Sequence, residues 1–192
     1  MGNGPRHEKI ILSSIDVFAR TNYEKATTAL LAKEAGIAEG TLYKYFPSKK
    51  QLFLDCCRYV EGQLLERYRE IYRVTKDEPA EYLRRVARSY LDFVVENPAM
   101  RRFLAFILNN TFDDDFRNEL EGFIKLNVDA TEQMLRRAQE KGEISRKLDP
   151  RAAAWMFVGG YFTLILMSEI GAGEALNPKY LESLFQAILN VE

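Results

Sequence analysis

Apolar residues recur along the chain at the three- and four-residue spacing of amphipathic α-helices, almost without interruption. Ile11, Ile15 and Phe18 fall at positions i, i+4 and i+7, which predicts a first helix over about residues 7–21. The pattern stops at Asn22, which we expect to adopt the left-handed conformation that commonly ends a helix.

Two short helices and one long helix are predicted next. Thr27 suits the N-cap of a second helix, and Gly36 breaks that helix. A third helix covers about residues 39–45. Ser48, with a glutamine three residues later, forms a capping-box signature that opens a fourth helix over about residues 48–73.

The remaining sequence also reads as helices, because its prolines lie between the periodic segments and not within them. We therefore predict an all-α protein. A three-helix N-terminal domain (1–50) is joined through the long fourth helix to a larger helical domain (51–192). The further predicted helices cover residues 82–96, 100–109, about 114–141 (as one or two helices), 151–170 and 178–191.

Cysteine content and the N-terminal residues both favour a cytoplasmic protein. The two cysteines, Cys56 and Cys57, are adjacent, so neither a disulfide framework nor a CxxC site is available. We expect reduced thiols, one of them buried. The first seven residues are polar and no apolar segment follows them, so no secretory signal is expected; His7 should be exposed.

Charge is unevenly distributed along the chain. The net charge is −1, yet residues 1–50 hold eight Lys/Arg against five Asp/Glu, which leaves the remaining 142 residues acidic. A mildly basic N-terminal domain on an acidic body suits local contact with phosphate groups.

The second and third helices, with a tight turn at Gly36, have the dimensions of a helix-turn-helix. A recognition helix enters the major groove with its N-terminal residues at the base edges. Gly40 would let the backbone approach DNA closely, and Thr41 and Tyr43 could reach bases or phosphates. The helix N-termini at Thr27 and Ser48 offer backbone N–H groups to phosphates.

Three stretches between Ile10 and Phe53, IILSSIDVF, ATTALLAKEAGIAEGTLYKYF and PSKKQLF, closely resemble the DNA-binding domain of TetR-family transcriptional regulators. The resemblance implies a homodimer that binds a palindromic operator in double-stranded DNA and represses transcription. Two positions depart from the family pattern: Asn22 replaces a usual glycine, and Ala38 replaces a serine that commonly caps the recognition helix. Glu39 either stabilises the helix N-terminus, the interpretation we prefer, or accepts a hydrogen bond from cytosine N4. The residues expected at the DNA are Thr27, Ala38, Glu39, Gly40, Thr41, Tyr43, Lys44, Tyr45 and Lys49.

The C-terminal domain is rich in aromatic residues, most of which should pack in its core. The family resemblance nevertheless implies an effector cavity among the fifth to eighth helices, suited to a small hydrophobic ligand. The candidate effector-binding residues are Tyr90, Phe93, Phe106, Asn109, Met134, Trp155 and Tyr161.

Residues 152–168 carry no charge over 17 positions. A membrane span usually needs about 20 residues. We therefore prefer a helix covered by its own domain on one side and by a second subunit on the other. The resemblance likewise places the dimer on the last two long helices. The predicted interface residues are Trp155, Gly159, Phe162, Leu166, Leu184 and Ile188.

No nucleophile–base arrangement, phosphate loop or metal-ligand set is present, so neither an enzyme nor a cofactor is expected. The Asp113–Asp115 run is interpreted as a solvated helix start and not as a cation site. Two alternatives stay open. One is a helical small-molecule carrier or enzyme whose N-terminal domain no longer binds DNA, and the other is a regulator that acts only through a protein partner.

Overall fold

The computed structural model describes residues 4–109, 113–172 and 177–189, and over these ranges the chain forms nine α-helices and no strand. The predicted all-α class is confirmed. The helices are α1 (Pro5–Arg20), α2 (Thr28–Ala35), α3 (Glu39–Tyr45), α4 (Lys49–Thr75), α5 (Pro79–Glu96), α6 (Pro98–Asn109), α7 (Asp114–Glu140), α8 (Pro150–Glu169) and α9 (Pro178–Leu189).

The end of α1 differs from the prediction. No non-glycine residue in the described ranges has a positive φ, so the left-handed conformation expected of Asn22 is wrong. Asn22 instead uses its side chain, because its Oδ1 accepts a hydrogen bond from the backbone N–H of Lys25 at 2.7 Å. An Asn side chain that bonds a nearby backbone N–H stabilises a turn without a left-handed residue.

The caps of α2 and α4 follow the sequence signals. Thr27 Oγ1 accepts from the backbone N–H of Leu30 at 3.2 Å, and Gly36 ends α2 with a φ of 71°. Ser48 Oγ accepts from the backbone N–H of Gln51 at 3.1 Å. Only this half of the capping box forms, since the Gln51 amide donates to Asp55 at 2.9 Å.

Two later helices have ends of the usual kinds, a left-handed glycine after the last residue and an aspartate N-cap before a proline. The segment predicted as one or two helices is the single helix α7, and Gly142 follows it with a φ of 74°. Asp149 caps α8 by accepting from the backbone N–H of Ala152 at 2.7 Å, with Pro150 as the first helical residue.

The chain divides into two compact units. The head unit comprises Met1–Gln63 with Asn97–Glu119, and the body unit comprises Leu64–Glu96 with Leu120–Glu192. Residues of α4 belong to both units, as do residues of α7.

The head unit is organised around a cluster of phenylalanines. The Phe53 ring of α4 lies 5.1 Å from that of Phe18, 5.4 Å from that of Phe103 and 4.4 Å from that of Phe116, measured between centroids. α1 packs against both α2 and α6. Burial of these rings stabilises the helices against which α2 and α3 pack.

Two sequence expectations for head-unit residues need correction. Cys56 and Cys57 are both buried, whereas only one thiol was expected to be. Burial raises the pKa of both thiols well above the ordinary value, which keeps them protonated. His7 is not fully exposed, because α1 starts at Pro5 and the His7 ring packs 4.7 Å from that of Phe46.

The body unit is held by aromatic pairs between helices. Tyr90 of α5 stacks on Tyr161 of α8 with 4.4 Å between ring centroids, and Phe157 of α8 meets Phe185 of α9 at 4.8 Å. Gly160 allows α8 and α9 to approach, since a Cβ at this position would lie 2.8 Å from Leu184 Cδ2.

Candidate functional site

The connection between α2 and α3 has the geometry of a helix-turn-helix. Gly36 adopts the left-handed conformation, and the backbone N–H of the next residue, Ile37, bonds back to the carbonyl of Ala32 at 3.0 Å. Leu31 on α2 and Leu42 on α3 are both buried. Because the apolar side of α3 is turned into the head unit, its other side lies in solvent.

The solvent side of α3 carries the predicted DNA-binding residues. The side chains of Glu39, Lys44 and Tyr45 are exposed, Tyr43 is about half exposed at 48%, and Thr41 is partly buried. Ala38 occupies the N-cap position and makes no side-chain capping bond. A Cβ added at Gly40 would meet nothing within 4 Å, so the protein itself does not require a glycine there. The space beside the backbone of Gly40 is therefore open.

A polar bridge links the start of α2 to α3. Thr28 Oγ1 donates a hydrogen bond to Glu39 Oε1, and the Tyr43 hydroxyl donates to Thr28 Oγ1 at 3.5 Å. Thr28 was not among the predicted site residues. Its position directly after the N-cap Thr27, on the helix that precedes the recognition helix, was the available signal.

Lys49 is anchored within the head unit. Its Nζ donates to the backbone carbonyl of Tyr23 at 2.7 Å and lies 4.2 Å from the centroid of the Tyr23 ring. The ammonium has three donor hydrogens, so this anchor leaves donors for a phosphate oxygen. Lys49 is also the first residue of α4.

Lys50 has a different environment. Its Nζ lies 3.0 Å from Asp113 Oδ2 and 2.5 Å from Asp115 Oδ2. The Lys50 ammonium lowers the pKa of the Asp113 carboxyl below its ordinary value. Asp113 Oδ1 also accepts from the backbone N–H groups of Asp115 and Phe116, so the acidic run is the start of α7, as predicted. Over the described residues, no group of three or more His, Cys, Asp or Glu side chains could hold a metal ion.

The body unit contains a cavity of about 480 Å³. Apolar and aromatic side chains dominate its lining, and two arginines of α4 join them. Arg69, Tyr72, Arg73 and Leu126 are exposed and mark its opening. The lining residues are Leu65, Tyr68, Arg69, Tyr72 and Arg73 of α4, Tyr82, Leu83 and Val86 of α5, Leu126, Asn127, Ala130 and Thr131 of α7, and Tyr161 of α8.

Tyrosine hydroxyls supply polar groups to the cavity wall. Burial, more than the neighbouring hydroxyls, raises the pKa of Tyr68 well above its ordinary value, and burial raises the pKa of Tyr82 and Tyr161 as well. All three hydroxyls therefore stay neutral at physiological pH. A neutral hydroxyl can both donate and accept, so the cavity suits a mainly apolar ligand with a few polar atoms.

The predicted effector-binding residues are dispersed. Tyr161 lines the cavity, and Tyr90 packs behind it. Phe93 packs beneath the Arg67 guanidinium at 5.3 Å, and Met134 Sδ accepts from Arg137 at 3.8 Å. Trp155 is 47% exposed on α8. Phe106 belongs to the head unit, 5.8 Å from Phe53, and the side chain of Asn109 lies outside the described residues.

None of the cavity residues on α4 was predicted to bind the effector. Tyr68 and Tyr72 are four residues apart, as are Arg69 and Arg73, so each pair projects from neighbouring turns of one helix. This repeated Tyr-Arg spacing was the signal in the sequence.

α8 exposes part of its apolar surface. Trp155 and Met156 are 47% and 55% exposed, and Gly159, Phe162 and Leu166 are partly exposed along the same helix. Leu184 of α9 is also partly exposed, and the side chain of Ile188 lies outside the described residues. Of the helices in the described residues, α8 is long and apolar enough to cross a membrane, and 39% of its apolar 18-residue segment is buried.

Two family models match the chain. One, described as "Bacterial regulatory proteins, tetR family", matches residues 10–56, and the other, described as "Tetracyclin repressor-like, C-terminal domain", matches residues 77–188. Together they span the helix-turn-helix and the cavity-lining residues of α5, α7 and α8, while the cavity-lining residues of α4 lie between the two matches.

Similar proteins include a metabolism regulator and a nucleoid occlusion factor. The "Fatty acid metabolism regulator protein" of Bacillus subtilis (strain 168) is 27% identical over 157 residues, which cover 81% of this chain and 79% of that protein. The "Nucleoid occlusion factor SlmA" of Haemophilus influenzae (strain PittGG) is 37% identical over 81 residues, which cover 42% of this chain and only 37% of that protein.

Solved structures share the fold along nearly the whole chain. FadR from Bacillus subtilis in complex with stearoyl-CoA has a TM-score of 0.82 at 21% identity and covers 95% of this chain and 97% of that one. FadR from Bacillus halodurans has a TM-score of 0.80 at 19% identity and covers 98% of this chain and 96% of that one. With both family models matched in order along the sequence, the chain belongs to the TetR family of bacterial transcriptional regulators.

Proposed function

We propose that this regulator is a cytoplasmic, dimeric repressor that binds a palindromic operator and is released from it by a fatty-acid derivative. The observation that carries the proposal is the 480 Å³ cavity lined partly by α4, the helix whose first residue, Lys49, is a proposed phosphate contact. A DNA-reading surface and a ligand cavity that share one helix suit a ligand-responsive regulator better than an enzyme.

At the DNA, α3 acts as the recognition helix. Gly40 permits close approach of its backbone, while Thr41 and Tyr43 lie at base edges or adjacent phosphates. Lys44, Tyr45 and Lys49 contact phosphate oxygens, and the capped N-termini of α2 and α4 add backbone N–H groups.

The dimer forms through α8 and α9. The exposed indole of Trp155 and the neighbouring Met156 are costly to leave in water, and they continue into the partly exposed Gly159, Phe162 and Leu166. A second copy that packs its own α8 and α9 on this surface would bury it in a symmetric bundle.

The effector is a fatty-acyl compound with a polar or anionic head. The cavity interior is lined by side chains such as Leu65, Leu83 and Val86, which suit an acyl chain, and the exposed guanidinium groups of Arg69 and Arg73 suit an anion at its opening. The Bacillus subtilis relative is named as a fatty acid metabolism regulator, and a neighbour in fold was solved with stearoyl-CoA. Both names agree with the ligand class that the cavity chemistry favours.

Release from the operator proceeds through α4. This helix has 27 residues and is roughly 40 Å long at about 1.5 Å per residue. A ligand against its second half, at Tyr68 and Tyr72, would shift the helix, so that the two recognition helices of a dimer no longer match successive major grooves. The ligand must bind the DNA-incompetent state more tightly, since equal affinity for both states shifts nothing.

Selection of genomic fragments by the purified protein, followed by footprinting, tests the proposed function. We expect an inverted repeat whose half-sites are about 34–36 Å apart, or a multiple of that distance. Stearoyl-CoA, as the probe ligand, should then dissociate the complex. Stearoyl-CoA binding without specific duplex retention would support the carrier alternative. Protection of one asymmetric half-site by monomers would contradict the dimer.

A cavity-filling variant separates ligand binding from DNA binding. Ala130→Trp places an indole at the cavity lining, whereas Gln133→Trp places one on an exposed position of the same helix outside the lining. Ala130→Trp should keep operator affinity and lose release by stearoyl-CoA, while Gln133→Trp should keep both. Equal release of the two variants would place the effector elsewhere.

A further inference from the structure

We propose that Thr28, through its hydrogen bond to Glu39, aims the Glu39 carboxylate at the exocyclic amino group of a cytosine, and that this contact sets one base of each operator half-site. This inference rests on the proposed DNA-binding function and names a specificity-determining residue and the residue that positions it.

Glu39 of α3 differs in its partner from Asp16 of α1 and Glu34 of α2, and resembles Glu8 of α1, which accepts a hydrogen bond from the Tyr59 hydroxyl at 3.0 Å. Asp16 and Glu34 both pair with Arg20, at 3.5 and 2.8 Å. Glu39, in contrast, has Thr28 as its partner and is paired with no lysine or arginine of the described chain. Its carboxylate is exposed in the first turn of the recognition helix.

An unpaired carboxylate beside DNA is unfavourable unless it accepts a hydrogen bond there. Phosphates repel it, and most of the major-groove edge presents acceptors, namely N7 and O6 of guanine, N7 of adenine and O4 of thymine. The donors are the amino groups of cytosine and adenine. A carboxylate is an acceptor only, so these amino groups are the base-edge partners open to it.

Cytosine suits the carboxylate better than adenine. The adenine amino group lies between two acceptors, its own N7 and the O4 of the paired thymine, and both would repel a carboxylate oxygen. The cytosine amino group has an acceptor on one side only, the O6 of the paired guanine.

The bond from Thr28 fixes the direction of the carboxylate. Oε1 accepts from Thr28 Oγ1, which in turn lies 3.5 Å from the hydroxyl of Tyr43. With one oxygen held by a residue of α2, the second oxygen has a restricted set of positions above α3. A glutamate without this restraint would lose rotamer freedom on binding and would discriminate less between bases.

Selection of randomised duplexes with purified full-length variants tests the inference. The wild type should select cytosine at one position of each half-site, with discrimination against adenine of about 5- to 150-fold, the usual range for a good base contact. Glu39→Gln should move the preference at that position to adenine, because an amide can pair with adenine N6 and N7. Thr28→Val should keep the cytosine but reduce its discrimination several-fold, and Thr28→Ser, which retains the hydroxyl, should restore it.

Glu24→Gln is the matched control, since it removes one exposed negative charge from the head unit outside α3. It should tighten binding to all duplexes similarly and leave every base preference unchanged. If Glu39→Gln behaves in the same way, the carboxylate serves only the helix N-terminus and the inference is overturned. A wild-type preference for adenine at the position that Glu39→Gln alters also overturns it. If the wild type selects no duplex at all, the proposed function itself fails.

Discussion

Tyrosine has two different environments in this protein. In the head unit, Tyr43 and Tyr45 of the recognition helix are 48% and 38% exposed, with Lys44 between them. In the body unit, Tyr68, Tyr90 and Tyr161 are 8% exposed or less. The same ring and hydroxyl therefore serve an outer surface in one region and an interior in the other.

Exposed and buried tyrosines are suited to different roles in the two units. The exposed tyrosines stabilise the fold little and are available to a large, charged partner. Among the buried tyrosines, Tyr90 and Tyr161 stack on each other and contribute to stability, while Tyr68 and Tyr161 line the cavity that we propose binds the effector. Substitution of the exposed head-unit tyrosines should therefore change DNA binding without unfolding the protein, whereas substitution of the buried body-unit tyrosines should lower its stability.

A matched pair of truncations gives the largest expected effect. Tyr90→Ala removes a buried ring that stacks on Tyr161 and should lower the free energy of unfolding by about 3–5 kcal/mol. Tyr43→Ala should change the free energy of unfolding by less than about 1 kcal/mol. Its main effect should be weaker operator binding. Urea unfolding at one fixed protomer concentration measures both. Similar losses of stability would remove the distinction between the two units.

The salt dependence of DNA binding measures how many phosphates the head unit contacts. Lys49→Ala should weaken binding to all sequences similarly and flatten the slope of log K against log salt by roughly two per dimer, one phosphate per subunit. Lys147→Ala, which removes an exposed lysine of the body unit, is the control and should leave the slope unchanged. An unaltered slope in the Lys49 variant would contradict its phosphate contact.

The pKa of Glu61 on α4 makes the stability of the protein depend on pH. Burial, followed by the neighbouring Glu119 carboxylate, raises the pKa of Glu61 to about 7, while Arg58 opposes the shift. The folded state thus holds a proton that the unfolded state releases between about pH 4.5 and pH 7. The stability associated with this proton is complete below that range and is lost as the pH rises through it.

We expect the free energy of unfolding to fall by about 1–2 kcal/mol between pH 5 and pH 8, after allowance for solvent around a partly buried carboxyl. Glu61→Gln should remove this decline, because its amide does not titrate. Glu70→Gln, at an exposed position of the same helix, should keep it. Stability profiles that match for Glu61→Gln and the wild type would rule out Glu61 as the source.

The smallest expected effect concerns the missing cap of the recognition helix. Ala38 occupies the N-cap position of α3 without a side-chain bond, so Ala38→Ser should raise the stability of the protein by about 0.5–1 kcal/mol. Thermal unfolding at fixed protomer concentration measures the gain. A destabilised variant would show that position 38 tolerates no hydroxyl.

The head unit was largely predictable because its signals are local. Thr27, Gly36 and Ser48 act on their own helix ends, and the structure confirms all three. The prediction for Asn22 was wrong because asparagine can end a helix in two ways, with a left-handed backbone or with a side-chain hydrogen bond. The sequence does not distinguish between them.

The body unit was predictable as helices but not as a site. A cavity depends on which side chains from four helices fail to fill the same space, and the period of one helix carries no such information. Of the predicted effector-binding residues, Tyr161 lines the cavity, whereas the lining residues Tyr68 and Tyr72 of α4 were not predicted.

If the ligand cavity and the DNA-binding surface are coupled, reciprocal titration will show it. Stearoyl-CoA affinity should be measured with and without saturating operator, and operator affinity with and without saturating stearoyl-CoA. Linkage requires both ratios to be equal, with a coupling of about 1–3 kcal/mol, or roughly 5- to 150-fold. If operator weakens stearoyl-CoA binding by that factor, the cavity and the DNA-binding surface are coupled. An affinity for stearoyl-CoA that is the same with and without operator would contradict it.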